Sequence, residues 1–321
     1  MTMMKAMILD EQNNFKWADV PKFEPKADEV LIKVAAAAVN RADLMQKDGQ
    51  YPSPPEWPQW CGLEVSGLVE SAPEGSRFKV GDKVCALLGG GGYSEYVVVP
   101  QGMVIPIPEN MDIIHAAGLP EVWCTVYLNL MYEAGGIKPG EVFFVQAGAS
   151  GIGIAAIQLA KNMGAKVVTT VGSDEKAAFV KSVGADIAVN YRREKVKDVL
   201  KDNPPSVALD CVGGAEMGSY LEDMAFGGRW IIIATLAGKD TTVDLRNLFK
   251  KRLKLIGSTL RSRTSEEKSR IMSSLEKELW PLFTQGKLVN HIHAVYPISE
   301  VEAAHGVLRR SENTGKVILT F

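Results

Sequence analysis

Cysteine is scarce in this sequence of 321 residues, which contains only four. They stand far apart and none belongs to a C-x-x-C pair; they are Cys61, Cys85, Cys124 and Cys211. This spacing excludes a disulfide framework and a zinc knuckle, because both need closely spaced or repeated cysteines. Such sparse use of cysteine is typical of the reducing cytoplasm, which is the location we predict.

Neither sign of charge is in excess, and no long basic run occurs. Lysine and arginine number 36 against 38 aspartates and glutamates, which gives a formal net charge of −2. Nucleic acids and anionic lipids are bound through basic patches, so the composition supports neither as a partner. With 46% hydrophobic and 23% charged residues, the sequence also excludes a disordered chain and a collagen-like fibre.

A long uninterrupted apolar run is missing as well. The longest apolar stretch, 142–160, contains glycines and is interrupted by Gln146, Ser150 and Gln158. A membrane-spanning helix needs a purer apolar composition than this. Residues 1–10 hold too short an apolar stretch for a signal peptide. We therefore expect neither a membrane span nor export.

What the sequence does contain is two different patterns, in keeping with a length about twice that of a typical domain. The first third predicts strands at 29–34 and 96–99 and a proline-rich loop at 52–58. Between 142 and 260, short strands alternate with helices, which is typical of a parallel sheet covered on both faces. The predicted strands are 142–146, 166–171, 186–190, 206–210, 229–234 and 253–259, with helices between them, for example at 152–163 and 174–182. Together they predict an α/β fold with a doubly wound nucleotide-binding sheet.

The C-terminal part predicts two helices followed by a strand. Thr264 with Glu267, and Ser299 with Glu302, each match a capping box at a helix start. A strand pattern follows at 317–321. Because this tail is too short to form a domain, we expect it to complete the N-terminal one. The predicted domains are 1–118 with 261–321, and 119–260.

A glycine-rich turn joins an apolar strand to the helical pattern at 154–160. The spacing is G-x-x-G-x-G, with a serine where the usual dinucleotide fingerprint has its second glycine. Glycines permit a positive φ and let the backbone approach a pyrophosphate, which then binds the unpaired N–H groups of the helix. Packing alone can also require such glycines, but the strand-turn-helix context favours a dinucleotide. The predicted contacts are Gly148, Ser150, Gly151, Ile152 and Gly153.

The end of the next predicted strand indicates which coenzyme binds. An NAD site has an acidic residue at this strand end, where it bonds the ribose 2′-hydroxyl. Here the strand ends in Val171 and Gly172. Ser173 and Lys176 follow, a hydroxyl and an ammonium able to hold a 2′-phosphate, and Tyr191 can add a phenol. These residues predict NADPH rather than NADH; a solvated helix charge is the other interpretation of Lys176.

Four segments together resemble one enzyme family; they are VNRADLMQKDGQYP (39–52), AGASGIG (147–153), LDCVGG (209–214) and LRSR (260–263). The combination resembles the zinc-free quinone oxidoreductases of the medium-chain dehydrogenase/reductase superfamily, and most of all the p53-inducible type. The resemblance extends from Lys5 to Leu319. It implies a β-rich GroES-like catalytic domain made from both chain ends, a Rossmann domain between them, and a homodimer. The activity that it implies is NADPH-dependent reduction of quinones or activated alkenes.

Comparison with the zinc-dependent relatives of this superfamily predicts no metal. Catalytic zinc is held by Cys, His or Glu ligands around one open position. Asn40 stands in place of the first cysteine and Leu63 in place of the histidine, which leaves only Glu121 near the third position. The four-cysteine structural lobe of those relatives is absent from this sequence as well.

The four histidines suggest no metal site either. His291 and His293 would share one face of a strand, where an exposed strand end explains them better than a metal pair. His115 and His305 have no partner that the sequence reveals.

The resemblance implies that Asn40, Asp43 and Tyr51 line the pocket in which the acceptor meets the nicotinamide. Without a metal, hydrogen bonds must polarise the acceptor carbonyl. Asn40 can donate to an oxyanion, and Tyr51 can stack on a flat ring and offer its O–H for orientation or as a proton donor. Asp43 is expected to orient Asn40 or Arg41 rather than act directly. A tyrosine packed among the loop prolines is the other interpretation of Tyr51.

Further coenzyme contacts follow from the same resemblance. Thr125 is expected to border the nicotinamide, or else to be a buried helix hydroxyl, and Asn313 to contact the nicotinamide half. Two segments at strand ends are expected to flank the coenzyme, because ligands bind beyond the carboxyl ends of parallel strands. They are Ala234, Thr235 and Leu236, and Ser258, Thr259 and Leu260. Arg261 and Arg263 either reach a phosphate or the acceptor, or form an exposed loop pair.

Two functions fit these residues. The first is an NADPH-dependent, zinc-independent oxidoreductase that transfers hydride to quinones, enones or enals. The second is a protein that binds NADPH for a structural or regulatory purpose with little turnover, as some zinc-free relatives do.

Overall fold

The computed structural model describes residues 2–321, which form two compact units. The first consists of the residues up to Cys124 together with Arg261–Phe321, and the second is Thr125–Leu260. The first boundary thus lies after Cys124 rather than after residue 118. Packing accounts for the difference, because the Trp123 ring contacts the Phe283 ring edge-on within the first unit, at 4.8 Å between centroids.

Fifteen strands run through the described residues: β1 Met3–Leu9, β2 Phe15–Pro21, β3 Glu29–Val39, β4 Glu64–Ser71, β5 Lys83–Leu87, β6 Tyr96–Pro100, β7 Val104–Pro106, β8 Val142–Val145, β9 Lys166–Val171, β10 Ile187–Asn190, β11 Val207–Asp210, β12 Arg229–Ile232, β13 Lys254–Gly257, β14 Ile292–Pro297 and β15 Lys316–Thr320.

Ten α-helices accompany the strands in residues 2–321: α1 Arg41–Lys47, α2 Ile113–Ala116, α3 Pro120–Tyr127, α4 Gly151–Asn162, α5 Asp174–Ser182, α6 Val196–Asp202, α7 Met217–Leu221, α8 Leu245–Lys250, α9 Ser265–Thr284 and α10 Val301–Arg309. Short 3₁₀ turns occur at Gln101–Met103 and Ile298–Glu300, and a π-helical segment at Leu128–Glu133.

The first unit is built on a seven-stranded sheet of order β14-β15-β3-β4-β5-β7, with β6 also paired to β3. The C-terminal strand β15 runs antiparallel to β3, from the Val317–Val39 pair to the Thr320–Ala36 pair. This pairing confirms that the tail completes the N-terminal domain. The alanines at the end of β3 allow close packing on this sheet, and Ala36 and Ala38 have no exposed surface.

The second unit contains six parallel strands in the order β10-β9-β8-β11-β12-β13. This is the doubly wound arrangement, so the prediction of that fold is confirmed. Both faces of the sheet are covered, and the central residues Phe143 and Phe144 are completely buried. Because all six strands are parallel, their carboxyl ends lie at one edge of the sheet, where ligands of this fold bind.

One of the two predicted capping boxes is confirmed and the other is wrong. Thr264 Oγ1 accepts the Glu267 N–H at 3.2 Å while Glu267 Oε2 accepts the Thr264 N–H at 2.9 Å, which begins α9. Ser299 instead lies inside the 3₁₀ turn Ile298–Glu300, and α10 begins only at Val301 with no side-chain cap. The carboxylate of Glu302 pairs with Lys47. A tertiary ion pair has therefore replaced the local cap.

Within residues 2–321, every helix is too short or too polar to cross a membrane.

Candidate active site

The turn after β8 presents the N-terminus of α4 at the carboxyl edge of the parallel sheet. Ser150 caps this helix, since its Oγ accepts the Gly153 N–H at 3.0 Å. The Ile154 N–H donates to the Ser150 carbonyl at 2.9 Å. The N–H groups of Gly151 and Ile152 have no acceptor in the described part of the chain. Two amides at a helix N-terminus suit the negative charge of a pyrophosphate.

The glycines of this turn are needed for close packing and not for a positive φ. The residue with the left-handed conformation is Ala147, at φ 55°, so the expectation of a positive φ at the three glycines is wrong. A Cβ on Gly148 would lie 2.2 Å from Thr169 Oγ1. A Cβ on Gly153 would lie 2.4 Å from the Ala147 carbonyl oxygen and 2.5 Å from Gly148 Cα. Glycine therefore lets α4 approach the turn, as the fingerprint requires.

The predicted 2′-phosphate residues surround the end of β9. Ser173 caps α5, and its Oγ accepts the Lys176 N–H at 3.2 Å. The Tyr191 side chain is 54% exposed. Its hydroxyl lies so close that a Cβ on Gly172 would be 2.9 Å from it. The structure thus brings Ser173, Lys176 and Tyr191 to one strand end.

Asp174, one of two acidic residues in the first turn of α5, is already engaged within the protein. Asn190 Nδ2 donates to Asp174 Oδ1 at 2.6 Å, and Arg193 forms an ion pair with the other carboxylate oxygen. This pairing reduces the negative charge that a 2′-phosphate would meet beside Ser173. Arg193 was not among the predicted residues. Its position three residues after the end of β10 could have indicated it, because ligands of this fold bind beyond the carboxyl ends of the strands.

The two flanking segments also lie at the carboxyl edge of the sheet. Ala234, Thr235 and Leu236 follow β12, and Thr235 and Leu236 are exposed. Ser258, Thr259 and Leu260 follow β13. The Ser258 N–H donates to the Ile232 carbonyl at 3.0 Å, yet its buried Oγ has no hydrogen-bond partner in the described chain. Such an unsatisfied hydroxyl fits a position that bonds a ligand.

Two other predicted contacts lie in a helix and in a loop. Thr125 lies in α3, half-buried, and its carbonyl accepts the Asn129 Nδ2–H at 2.7 Å. Asn313 lies in the first unit, in the turn before β15, where its Nδ2 donates to the Gly315 carbonyl at 2.9 Å. Their roles at the nicotinamide stay predictions.

In the first unit, Asn40 belongs to a buried polar cluster that sequence reasoning missed. The Lys316 ammonium contacts Glu64 Oε1 at 2.6 Å and Asn40 Oδ1 at 2.7 Å. Asn40 Nδ2 in turn donates to Glu64 Oε1 at 2.9 Å. Because an ammonium can only donate, Lys316 fixes which end of the Asn40 amide is the oxygen. The remaining amide hydrogen makes only a long contact, 3.4 Å, to the Ala38 carbonyl, and this is the one that an acceptor oxygen can take.

The Asp43 carboxyl bonds two backbone N–H groups, and its role in orienting Asn40 stays a prediction. Its side chain is completely buried. One oxygen accepts the Asn40 N–H at 2.7 Å, and the other accepts the Gly62 N–H at 2.8 Å. Desolvation outweighs these two hydrogen bonds and raises the pKa of Asp43 to about 6. The carboxyl thus holds the start of α1, and Asn40 with it.

Tyr51 is held by Arg261, which is buried and does not belong to an exposed loop pair. The Arg261 guanidinium lies over the Tyr51 ring at 4.4 Å from its centroid. It also donates to the Tyr51 carbonyl at 2.6 Å and to Gln46 Oε1 at 2.6 Å. Burial raises the pKa of the Tyr51 phenol above its ordinary value. Arg261 therefore fixes the loop that carries Tyr51, while the ring stays partly exposed.

Two of the histidines have partners that the sequence did not reveal. His115 Nδ1 lies 2.7 Å from Asp112 Oδ2. The buried His305 contacts the Tyr93 hydroxyl at 3.1 Å through Nε2, and burial lowers the pKa of its imidazole to about 3. Among residues 2–321, no group of three or more His, Cys, Asp and Glu side chains is arranged to hold a metal ion.

The chain is similar to known oxidoreductases over almost its whole length. Residues 26–109 match the alcohol dehydrogenase GroES-like domain, and residues 151–277 match the zinc-binding dehydrogenase family. Human quinone oxidoreductase is 30% identical over 304 residues, which cover 92% of this chain and 90% of the relative.

Solved structures agree with these relatives. An NAD-dependent alcohol dehydrogenase superimposes with a TM-score of 0.84 and 27% identity, covering 100% of both chains. A mycobacterial protein complexed with NADPH superimposes with a TM-score of 0.85 and 25% identity, covering 99% of this chain and 100% of that one. The expected pairing of a GroES-like domain with a Rossmann-type domain is confirmed.

Proposed function

Since the chain belongs to the zinc-free quinone oxidoreductases of the medium-chain dehydrogenase/reductase superfamily, we propose that it reduces quinones or activated alkenes, such as enones and enals, with NADPH. The family membership makes the chain an oxidoreductase with a nicotinamide coenzyme. The choice of NADPH and of the acceptor class is the proposal.

The residues at the end of β9 support the proposal that the coenzyme is NADPH. The hydroxyl of Ser173 and the phenol of Tyr191 lie there, and Lys176 follows in the first turn of α5. The neighbouring carboxylate of Asp174 is paired with Arg193. A ribose 2′-phosphate needs donors and positive charge, whereas a 2′-hydroxyl would be bonded by an acidic residue at the strand end. The residues present therefore suit the phosphorylated coenzyme.

Different residues would bind the coenzyme and orient the acceptor. Bound NADPH would supply the hydride. The amides of Gly151 and Ile152 would hold the pyrophosphate at the start of α4. The Tyr51 ring would stack on a flat conjugated acceptor. The Asn40 amide hydrogen that makes only the 3.4 Å contact to Ala38 would bond the carbonyl oxygen of the acceptor. Asn40 and Leu63 offer no zinc ligand, so we assign polarisation of the carbonyl to hydrogen bonds.

Replacing Lys176 by alanine tests the coenzyme assignment. We expect the variant to bind NADPH about 10 to 100 times more weakly, because a hydrogen bond to a charged group contributes about 1.5–3 kcal/mol. NADH lacks the 2′-phosphate, so its affinity is expected to stay the same. Fluorescence titration of the reduced coenzymes measures both affinities.

Lys181→Ala is the matched control, since Lys181 lies in the last turn of the same helix and is exposed. It is expected to bind both coenzymes as the wild type does. Equal losses for NADPH and NADH in the Lys176 variant would refute the 2′-phosphate assignment.

The acceptor class is tested by following NADPH absorbance with benzoquinones, naphthoquinones and enals. We expect oxidation of NADPH by at least one of these classes. Tight NADPH binding without turnover of any acceptor would instead support the structural or regulatory role. The cytoplasmic location stays a prediction.

We also propose a homodimer that forms along β13 and α8 of the second unit. β13 is an edge strand of the six-stranded sheet, and its Leu255 is 44% exposed. No side chain of α8 is buried, although Leu245 is 70% exposed and Phe249 69% exposed. An open strand edge beside exposed apolar side chains is a surface that a second copy can pair with and cover.

Phe249→Glu is expected to turn the dimer into a monomer, because it places a charge within the apolar surface. Sedimentation velocity measures the change. Val80→Glu is the control, since Val80 is 74% exposed in the first unit, and this variant is expected to remain dimeric. A monomeric wild type would contradict the proposal.

A further inference from the structure

Glu121 stands at the first turn of α3, directly beside the buried Glu64–Lys316 pair. Its N–H donates to Glu64 Oε2 at 2.8 Å, so the helix start is anchored on that pair. Glu64 is completely buried, whereas Glu121 keeps part of its surface exposed. Glu121 is therefore the member of this cluster that can exchange a proton with solvent or ligand.

The nearby cations direct their terminal nitrogens at other acceptors, although Arg261 Nε has no hydrogen-bond partner in the described residues. Lys316 directs its ammonium at Glu64 Oε1, at Asn40 Oδ1 and, at 3.3 Å, at the Val39 carbonyl. The Arg261 NH1 and NH2 groups bond the Tyr51 carbonyl and Gln46 Oε1. In the part of the chain that the structure describes, no cation forms an ion pair with Glu121. The residues Glu64 and Glu121 are neighbours, and the Lys316 ammonium forms its ion pair with Glu64.

The charges around Glu121 decide its protonation state. Desolvation and the negative charge of Glu64 raise the pKa of Glu121 to about 8, against the opposing effects of Lys316 and Arg261. The other titratable groups that interact with it are Asp43, Tyr51, Cys124 and Lys268. The raised pKa favours the protonated form of the Glu121 carboxyl at neutral pH.

The reduction proposed above needs such an acid. Hydride adds two electrons and forms one new bond to the acceptor, which leaves an enolate from an enone or a hydroquinone anion from a quinone. A proton must then form the second C–H or O–H bond. A donor is most effective when its pKa lies near the working pH. Burial raises the pKa of the Tyr51 phenol above its ordinary value, so that phenol is the weaker acid of the two.

We propose that Glu121 is the catalytic acid, giving its carboxyl proton to the anion formed on the acceptor. This inference rests on the proposed function. The Glu121 O–H bond breaks as the product bond forms, and the resulting carboxylate regains a proton from solvent through its exposed edge. Tyr51, which interacts electrostatically with Glu121, keeps the role of stacking and orienting the acceptor.

Infrared difference spectra of the coenzyme-free protein test the protonation state without any turnover. The wild type minus Glu121→Gln spectrum is expected to show a protonated carboxyl band at neutral pH, which is lost as the pH rises through about 8. Glu266→Gln is the matched control, because Glu266 is an exposed first-turn glutamate of α9. The Glu266→Gln variant is expected to keep the protonated band of Glu121.

Steady-state kinetics test the catalytic role. Glu121→Gln is expected to lower kcat by about 10²–10⁴-fold, the usual contribution of a positioned acid, and to leave NADPH affinity unchanged. Wild-type turnover should decline above about pH 8, as Glu121 loses its proton, whereas the variant's low rate should stay level there. Small weak acids such as imidazolium should partly restore it. If Glu121→Gln does not fold, Glu121→Asp should retain a pH-dependent but slower reaction.

The outcomes separate this inference from the proposed function. An ionised Glu121 at neutral pH, or a Glu121→Gln enzyme with wild-type kcat and pH profile, would overturn the catalytic acid alone. A wild type that binds NADPH and shows the protonated band but reduces no acceptor would overturn the proposed function and the acid with it. Turnover that falls only in the Glu121 variants supports both.

Discussion

Lys316→Met is expected to lower the free energy of unfolding by about 3–5 kcal/mol, the typical cost of removing one partner of a buried ion pair. The side chains of Lys316 and Glu64 are only 4% and 0% exposed. Methionine replaces the length of the lysine stem but leaves the Glu64 carboxylate buried without its cation. The Asn40 amide also loses the contact that fixes its orientation, so kcat should fall with stability. Urea unfolding followed by circular dichroism measures the loss.

Two controls separate this effect from a general loss of charge. Lys161→Met breaks the pair with Asp186, whose partners are 39% and 35% exposed, and is expected to cost about 0–1 kcal/mol. Combining Lys316→Met with Glu64→Gln removes the unpaired charge, and we expect this double variant to regain part of the stability. A single Lys316 variant as stable as the Lys161 variant would show that the buried pair is not needed.

Gly153→Ala is expected to weaken NADPH binding by at least about tenfold and to cost about 1–3 kcal/mol of stability, as overpacking does. The added Cβ would meet backbone atoms, 2.4 Å from the Ala147 carbonyl oxygen and 2.5 Å from Gly148 Cα. Backbone cannot move aside as a flexible side chain can. The turn must therefore shift away from α4, which displaces the amides of Gly151 and Ile152 from the phosphate. Coenzyme titration and thermal unfolding measure the two effects.

Gly257→Ala is the matched control in the same unit. No atom lies within 4 Å of a Cβ built on Gly257, and its φ is not positive. This variant is expected to bind NADPH normally and to change stability by about 0.5 kcal/mol or less. A Gly153 variant that behaves in the same way would mean that the turn can relax, and that close packing is not the reason for this glycine.

Local patterns predicted the second unit well, because each of its elements is specified by neighbouring residues. The strand at Lys166–Val171 and the helix at Asp174–Ser182 have the predicted bounds. Alternation of short apolar strands with helices leaves few arrangements other than a parallel sheet. Ser150 lies in the glycine turn and caps α4, and a cap of this kind acts within three residues.

Predictions failed where a contact from another part of the chain competed with a local signal. Ser299 and Glu302 have the spacing of a capping box. In the structure, however, Glu302 forms an ion pair with Lys47, and Ser299 lies inside a 3₁₀ turn. An exposed loop pair was one of two interpretations of Arg261, and it is wrong because the side chain is buried against Tyr51 and Gln46. Such competition depends on distances that no local pattern contains.

The sequence alone predicts the proposed coenzyme site, because the glycine turn and the strand end beside it are short contiguous stretches. It does not predict the buried polar cluster. The members of that cluster come from distant parts of the chain and meet only when β15 pairs with β3; they are Asn40, Glu64, Glu121 and Lys316. In the sequence, each of these residues is only a charged or amide side chain next to an apolar segment, and none of them indicates the cluster. Burial in one cluster pairs Lys316 with Glu64 and raises the pKa of Glu121.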